Sequence, residues 1–249
     1  DVSYANKNAN LEKVYNTLIK HNFDLMVLPE LFNIGYLFPT RDKVRSLAET
    51  IPEGITTNTL MEIARKQDAL ILGGLAELEG EKIYNSTVIV SPDGLIGVYR
   101  KVHLTRLELK LYDRGHRLYT YENKKLKFGV ITCFDAWFPE ASRLLALNKA
   151  HILCNPANFG GRQTLDIMKV RAMENKVYTI TANRIGIEEM GDIKAEFRGE
   201  SRIIGYDGSL IASSGSDEDI KIVDINPELT IQKDNIMCDD LFGELRIYH

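Results

Sequence analysis

The stretch Gly129-Val130-Ile131-Thr132-Cys133-Phe134-Asp135, continued by Ala136-Trp137-Phe138-Pro139, decides how the rest of the chain is read. An apolar run stops at a thiol, a polar-aromatic turn follows, and a proline then stands where a helix can open. The order predicts a strand, a turn and a helix in quick succession. Such a junction exposes one side chain at the strand end and leaves a backbone N–H beside it, the geometry in which nucleophiles are presented. A thiol inside an apolar strand is ordinarily an inert core residue. Cys133 differs because it stands where the strand stops.

Two further segments share this design. Leu25-Met26-Val27-Leu28-Pro29-Glu30 and Val98-Tyr99-Arg100-Lys101-Val102-His103-Leu104 each deliver a reactive group at or beyond the end of an apolar run, where open sheets place their ligands. Viewed singly, Glu30 is a surface carboxylate and Lys101 is half of a solvated basic pair with Arg100. Together with Cys133 they supply complementary roles. A thiol needs a base to become a nucleophile, and its attack on an amide or nitrile carbon builds negative charge that a cation and backbone N–H groups can hold. Glu30 suits the first task, and Lys101 with the Phe134 N–H suits the second.

Outward from these segments the chain alternates. Leu11, Val14, Tyr15, Leu18 and Ile19 recur at helical spacing ahead of a strand over 25–28. A helical stretch around Leu60, Ile63 and Ala64 precedes a strand over 70–75. Runs over 83–90 and 95–99 flank the turn Ser91-Pro92-Asp93-Gly94. Further on, the pattern predicts a strand over 127–132, a helix over Pro139–Leu147, a strand over 151–154, a helix over 165–175 and a strand over 177–182. Strands over 201–205 and 209–213 bracket Tyr206-Asp207-Gly208, and 220–225 reads as one more. The class is α/β with antiparallel elements. No linker or repeat interrupts it, so one domain over residues 1–249 is expected.

Composition narrows the function. The 249 residues are 44% hydrophobic and 27% charged, enough for one large core. With 31 Lys+Arg against 35 Asp+Glu and a net charge of -4, no basic block exists to neutralise phosphates, so nucleic acid is not expected as a partner. Cys133, Cys154 and Cys238 form no C-x-x-C pair, which argues against a disulfide framework and for a reducing, cytoplasmic setting. No apolar run reaches the roughly 20 residues of a membrane span, and no membrane partner is expected.

The three reactive segments resemble the blocks of the nitrilase superfamily, the carbon–nitrogen hydrolases. Leu28-Pro29-Glu30-Leu31, Tyr99-Arg100-Lys101-Val102-His103-Leu104 and Cys133-Phe134-Asp135 stand in the order of that family's Glu-Lys-Cys triad. The likeness continues through Trp137-Phe138-Pro139-Glu140, Asn155-Pro156-Ala157-Asn158, Arg171-Ala172-Met173-Glu174-Asn175 and Gly199-Glu200-Ser201. The resemblance implies a four-layer α-β-β-α sandwich, no metal and no organic cofactor, and pairing of subunits into a homodimer or higher oligomer through a surface that includes the helix after the nucleophile. It also implies that Glu108, seven residues before Gly115, positions the substrate and the lysine. The chain begins at Asp1, inside what resembles the family's first loop, so the family's first β-strand is expected to be missing from this sequence. Phe134-Asp135 follows the pattern of amidase-like members more than the Cys-Trp-Glu of many nitrilases, which tilts the expected substrate toward a small amide. A nitrile, an N-carbamoyl amine and a silent binding protein on the same fold are the alternatives.

Other candidates weigh less. Five scattered histidines offer no Cys–His pair. His151 and Cys154 have the spacing of two zinc ligands but lack acidic partners and sit in an apolar strand. Arg171 and Glu174 are spaced for a helical ion pair. Trp137, Asn158 and Phe159 follow strand ends and are candidates for the substrate pocket, with core or subunit contact the alternative for Trp137 and Phe159.

Overall fold

The computed structural model describes residues 1–123, 126–234 and 239–245. In chain order the first half contains α1 (Lys7–Leu18), β1 (Leu25–Val27), α2 (Arg41–Arg45), α3 (Ile55–Gln67), β2 (Leu70–Glu79), β3 (Lys82–Ser91) and β4 (Gly94–Arg100). The second half contains β5 (Thr120–Asn123), β6 (Leu126–Val130), α4 (Pro139–Leu147), β7 (Ile152–Ala157), α5 (Gln163–Asn175), β8 (Tyr178–Asn183), β9 (Ile185–Met190), β10 (Ile193–Arg198), β11 (Arg202–Ile204) and β12 (Leu210–Ser213).

Alternation along the strands builds the layers, because successive side chains point to opposite faces. On β2, Ile71 and Leu75 pack with Leu11, Leu18, Leu60 and Ile63 of α1 and α3. Leu70 and Leu72 face the other way, onto Phe128, Val130, Ile152 and Cys154. On β7 the outward residue Leu153 meets Ala141, Leu145, Leu165 and Met168 of α4 and α5. The result is an α-β-β-α sandwich. One sheet has the order β1-β2-β3-β4 and the other β12-β11-β8-β7-β6-β5. β1 and β2 run parallel, as do β6, β7 and β8, while the remaining pairs are antiparallel.

Local sequence explains the helix ends. Asn6 accepts from the Ala9 N–H at the start of α1, Pro139 opens α4, and Lys176 closes α5 in the left-handed region. A side chain at Gly129 would meet Leu145 at 2.8 Å, so the glycine on β6 lets α4 lie flat against the sheet just before the turn at Cys133.

Residues 220–225, expected as a strand, form none. Ile220 packs into the cluster under α1 and α3 and Ile225 into the cluster between the sheets. The apolar spacing therefore reflects side-chain packing along a groove of about 1200 Å³ flanked by β1 and β8, and the backbone joins no ladder. The hairpin of β9 and β10, which the sequence reading does not include, buries only Glu188 and Phe197. Cys238 and His249 lie outside the described residues.

Phe128 is sealed between the two sheets. Phe128→Ala should lower the free energy of unfolding by about 3–5 kcal/mol, the range for deleting a buried aromatic ring. Urea titration checks this, and a loss below about 1 kcal/mol would mean that the space between the sheets is not the packed core described here.

Candidate active site

Lys101 follows β4 directly, and its ammonium has no exposure. It donates to Glu30 Oε1 and to Glu108 Oε1, both at 2.6 Å. Burial works against that charge, yet Glu108 and Glu30 outweigh burial and keep Lys101 protonated well above the ordinary lysine range. Glu108 begins a 3-10 turn, Glu108–Lys110. Its other oxygen accepts from the Thr105 N–H at 2.8 Å, which fixes the loop that carries it. A side chain at Gly115 would stand 2.0 Å from the Arg100 carbonyl oxygen, so only glycine lets this loop close against the lysine strand.

Glu30 ends the segment after β1 and is fully buried. Leu31, the next residue, has a positive φ of 48°, which turns the chain sharply away from the carboxylate. On β2, a side chain at Gly74 would lie 2.7 Å from the Glu30 Cα, so the bare glycine admits this turn. Burial raises Glu30 from an ordinary 4.5 to about 7, with the attraction of Lys101 offsetting only part of it. Its Oε2 has no partner among the described residues.

Cys133 opens the 3-10 turn Cys133–Trp137 with a φ of 49°. A non-glycine residue held there costs about 1–3 kcal/mol, so the surrounding contacts must hold it in place. Thr132 and Asp135 cap the turn reciprocally, and the Cys133 N–H donates to Asn155 Oδ1 of β7 at 2.9 Å. Burial, then the charge of Glu30, push the thiol well above its ordinary value against the pull of Lys101 and of the Asn158 N–H.

Glu30 and Lys101 belong to the first sheet and Cys133 to the second, and polar ties join them. The Asn158 side chain donates to the Glu30 carbonyl at 3.0 Å, and Thr87 meets Thr132 at 3.3 Å. Asp135, fully buried, gathers the Tyr99 hydroxyl at 2.6 Å, the Thr132 N–H at 2.9 Å and the His103 N–H at 2.9 Å. Its carboxylate therefore ties the strand that delivers Lys101 to the turn that delivers Cys133.

The remaining candidates separate. Phe134 is partly buried, edge-on to Phe138, which stacks on His103. Phe159 is core, with its N–H donated to Asn183 Oδ1 at 2.6 Å. Trp137 is 48% exposed and donates its indole N–H to Thr164 at the start of α5. Arg171 makes the expected pair with Glu174 and also donates to the Ala136 carbonyl inside the nucleophile turn. Cys154 is inter-sheet packing, and among the described residues no three His, Cys, Asp or Glu side chains gather as a metal site.

Two contributors were not singled out from sequence. Asn85 on β3 donates to Glu30 Oε1 at 2.7 Å and to Glu108 Oε1 at 2.9 Å. Glu188 on β9, paired with buried Arg184, accepts the N–H groups of Tyr36 and Leu37 and so holds the loop that follows Glu30. For Asn85 the available signal was the run Asn85-Ser86-Thr87, three consecutive polar residues inside a strand that is otherwise apolar.

Asp135→Asn keeps the shape of the brace but removes its charge and replaces one acceptor oxygen by a donor. Turnover should fall by roughly two orders of magnitude, the scale of a small misplacement of reacting groups, while circular dichroism stays that of the wild type. A rate within twofold of wild type would show that the tie is dispensable.

The chain matches the family model described as carbon-nitrogen hydrolase over residues 4–234. It is 39% identical to a protein of Pyrococcus abyssi called nitrilase, over 94% of this chain and 89% of that protein. It is 31% identical to an (R)-stereoselective amidase of a Pseudomonas species, over 82% of this chain and 73% of the amidase. The crystal structure of a carbon-nitrogen hydrolase from Helicobacter pylori G27 superposes with a TM-score of 0.85 at 28% identity, over 92% of this chain and 88% of that one. With the sandwich fold and a Glu, a Lys and a Cys gathered at the meeting of its two sheets, the chain belongs to the carbon–nitrogen hydrolases of the nitrilase superfamily.

Proposed function

We propose that Glu30, Lys101 and Cys133 form the catalytic triad, with Glu108 positioning the lysine, and that the substrate is a small non-peptide amide. The observation that carries this reading is the free Oε2 of a buried Glu30, held near neutrality beside a buried thiol. Glu30 takes the Cys133 proton as the sulfur attacks the carbonyl carbon. Cys133 and Phe134 are the first two residues of their 3-10 turn, so neither N–H has an acceptor within it. Asn155 takes the first, and the Phe134 N–H serves with the Lys101 ammonium to hold the oxyanion. The carbon–nitrogen bond breaks, and Glu30 returns its proton to the departing ammonia or amine. Water, deprotonated by Glu30, then opens the thioester, and the released thiolate is reprotonated.

Phe134-Asp135 after the nucleophile supports an amide over a nitrile, while the name of the Pyrococcus abyssi relative favours the nitrile. Ammonia release from a panel of small amides, N-carbamoyl amines and nitriles decides between them, and turnover of nitriles alone would overturn the amide reading. Leu144, Leu147, Val170 and Met173 stand about half exposed on α4 and α5 beside Trp137, which supports burial of this face against a second copy of the chain. Two described cysteines held as free thiols are compatible with a reducing cytoplasm. Among the described residues no helix is long and apolar enough to cross a membrane.

Cys133→Ala should abolish turnover and abolish the acyl adduct that intact-protein mass spectrometry detects on the wild-type enzyme. Retention of more than roughly a few percent of the wild-type rate would remove Cys133 from the nucleophile's role.

The pH dependence follows from Glu30. Its base form exists above its raised value, so kcat/KM should climb tenfold per pH unit below about 7 and flatten above it. Stability runs the other way. A folded value above the ordinary 4.5 stabilises the protein below that pH, and this contribution is lost as the pH rises through about 7. A flat activity profile between pH 5 and pH 8 would exclude Glu30 as the base.

A further inference from the structure

We infer that Asn85 is a positioning residue for this reaction: its one amide group holds both carboxylates of the site and aims the free oxygen of Glu30 at Cys133. The inference rests on the triad reading above and extends it to a neutral residue on the central strand β3.

Asn85 is buried, and its Nδ2 spends one hydrogen on Glu30 Oε1 and the other on Glu108 Oε1. Both neighbours only accept when ionised, so the amide has one possible orientation there. Its backbone carbonyl accepts the Lys101 N–H at 2.9 Å. The side chain of one residue thus holds both carboxylates, and its backbone anchors the end of the strand that delivers Lys101. Lys101 by itself cannot define where Glu30 points, since an ammonium donates in any of several rotations. The flat amide can. Two donors on Oε1, Lys101 and Asn85, fix the carboxylate plane and leave Oε2 to take a proton.

The second consequence concerns charge. Glu30 faces Lys101 and Glu108 from the lysine strand and its loop, Cys133 from the second sheet, and the hydroxyls of Tyr36 and Tyr112. Burial and Glu108 favour its protonated form, while Lys101 and the Asn85 amide favour the carboxylate. Loss of Asn85 therefore removes support from the ionised base as well as its orientation.

The test is the rate at which iodoacetamide alkylates Cys133, followed by intact mass from pH 5 to pH 9 in wild type and Asn85→Ala. Wild-type alkylation should rise through about pH 7 with Glu30. In Asn85→Ala the rise should shift upward by roughly one pH unit or more, with alkylation at pH 7 slowed at least about tenfold. A folded Asn85→Ala with the wild-type profile overturns the inference. Should the alanine variant fail to fold, Asn85→Ser carries the same expectation and the same refutation, because its shorter hydroxyl cannot bridge two carboxylates. In hydrolysis the loss should fall on kcat with KM little changed, and a rise in KM alone would also refute the role. Alkylation displaces iodide and requires no amide hydrolysis, so absence of turnover on every panel substrate would count against the proposed reaction while the pH profiles still decide the role of Asn85.

Discussion

An ammonium group removed from water must be neutralised by protein, and the site is organised around that requirement at Lys101. The cost of desolvating the lysine and its partners runs to several kcal/mol per ion and is recovered only with close geometry and further hydrogen bonds. Glu30, Glu108, Asn85 and the Thr105 N–H supply them. Two carboxylates around one ammonium leave an excess negative charge, and burial first, then the charge of Glu108, raises Glu30 to about 7. In the proposed reaction that burial supplies the base.

Cys133, the nucleophile proposed above, is prepared by placement: a left-handed backbone at the end of β6, a capped turn, and an N–H committed to Asn155. Strain of this kind persists only where neighbours over-determine the conformation. Asp135 and Arg171 do so from two sides, through the Thr132 N–H and the Ala136 carbonyl.

Much of this was legible in the sequence because each residue of the proposed triad ends an apolar run, and apolar runs are what burial rewards. The helix expected over Pro139–Leu147 has those bounds, since a proline start and a helical apolar face agree there. The hairpin of β9 and β10 buries only Glu188 and Phe197, so the alternation Ile193-Lys194-Ala195-Glu196-Phe197 marks a strand that faces no large core. Residues 220–225 misled because side chains that alternate into two clusters look the same whether or not the backbone finds a partner. Asn85 and Asp135 were beyond periodicity altogether. Their partners lie 23 to 55 residues away for Asn85 and, apart from Thr132, 32 to 36 residues away for Asp135, and only the folded sheets bring them into reach.

The site is divided between two sheets: Glu30 and Lys101 ride on one layer and Cys133 on the other, with an apolar seam and a few buried polar ties between them. An apolar seam resists separation well and sliding less well, because its attraction has no direction. A shear of the layers by about an ångström would misplace the groups of the proposed triad while leaving every helix and strand intact.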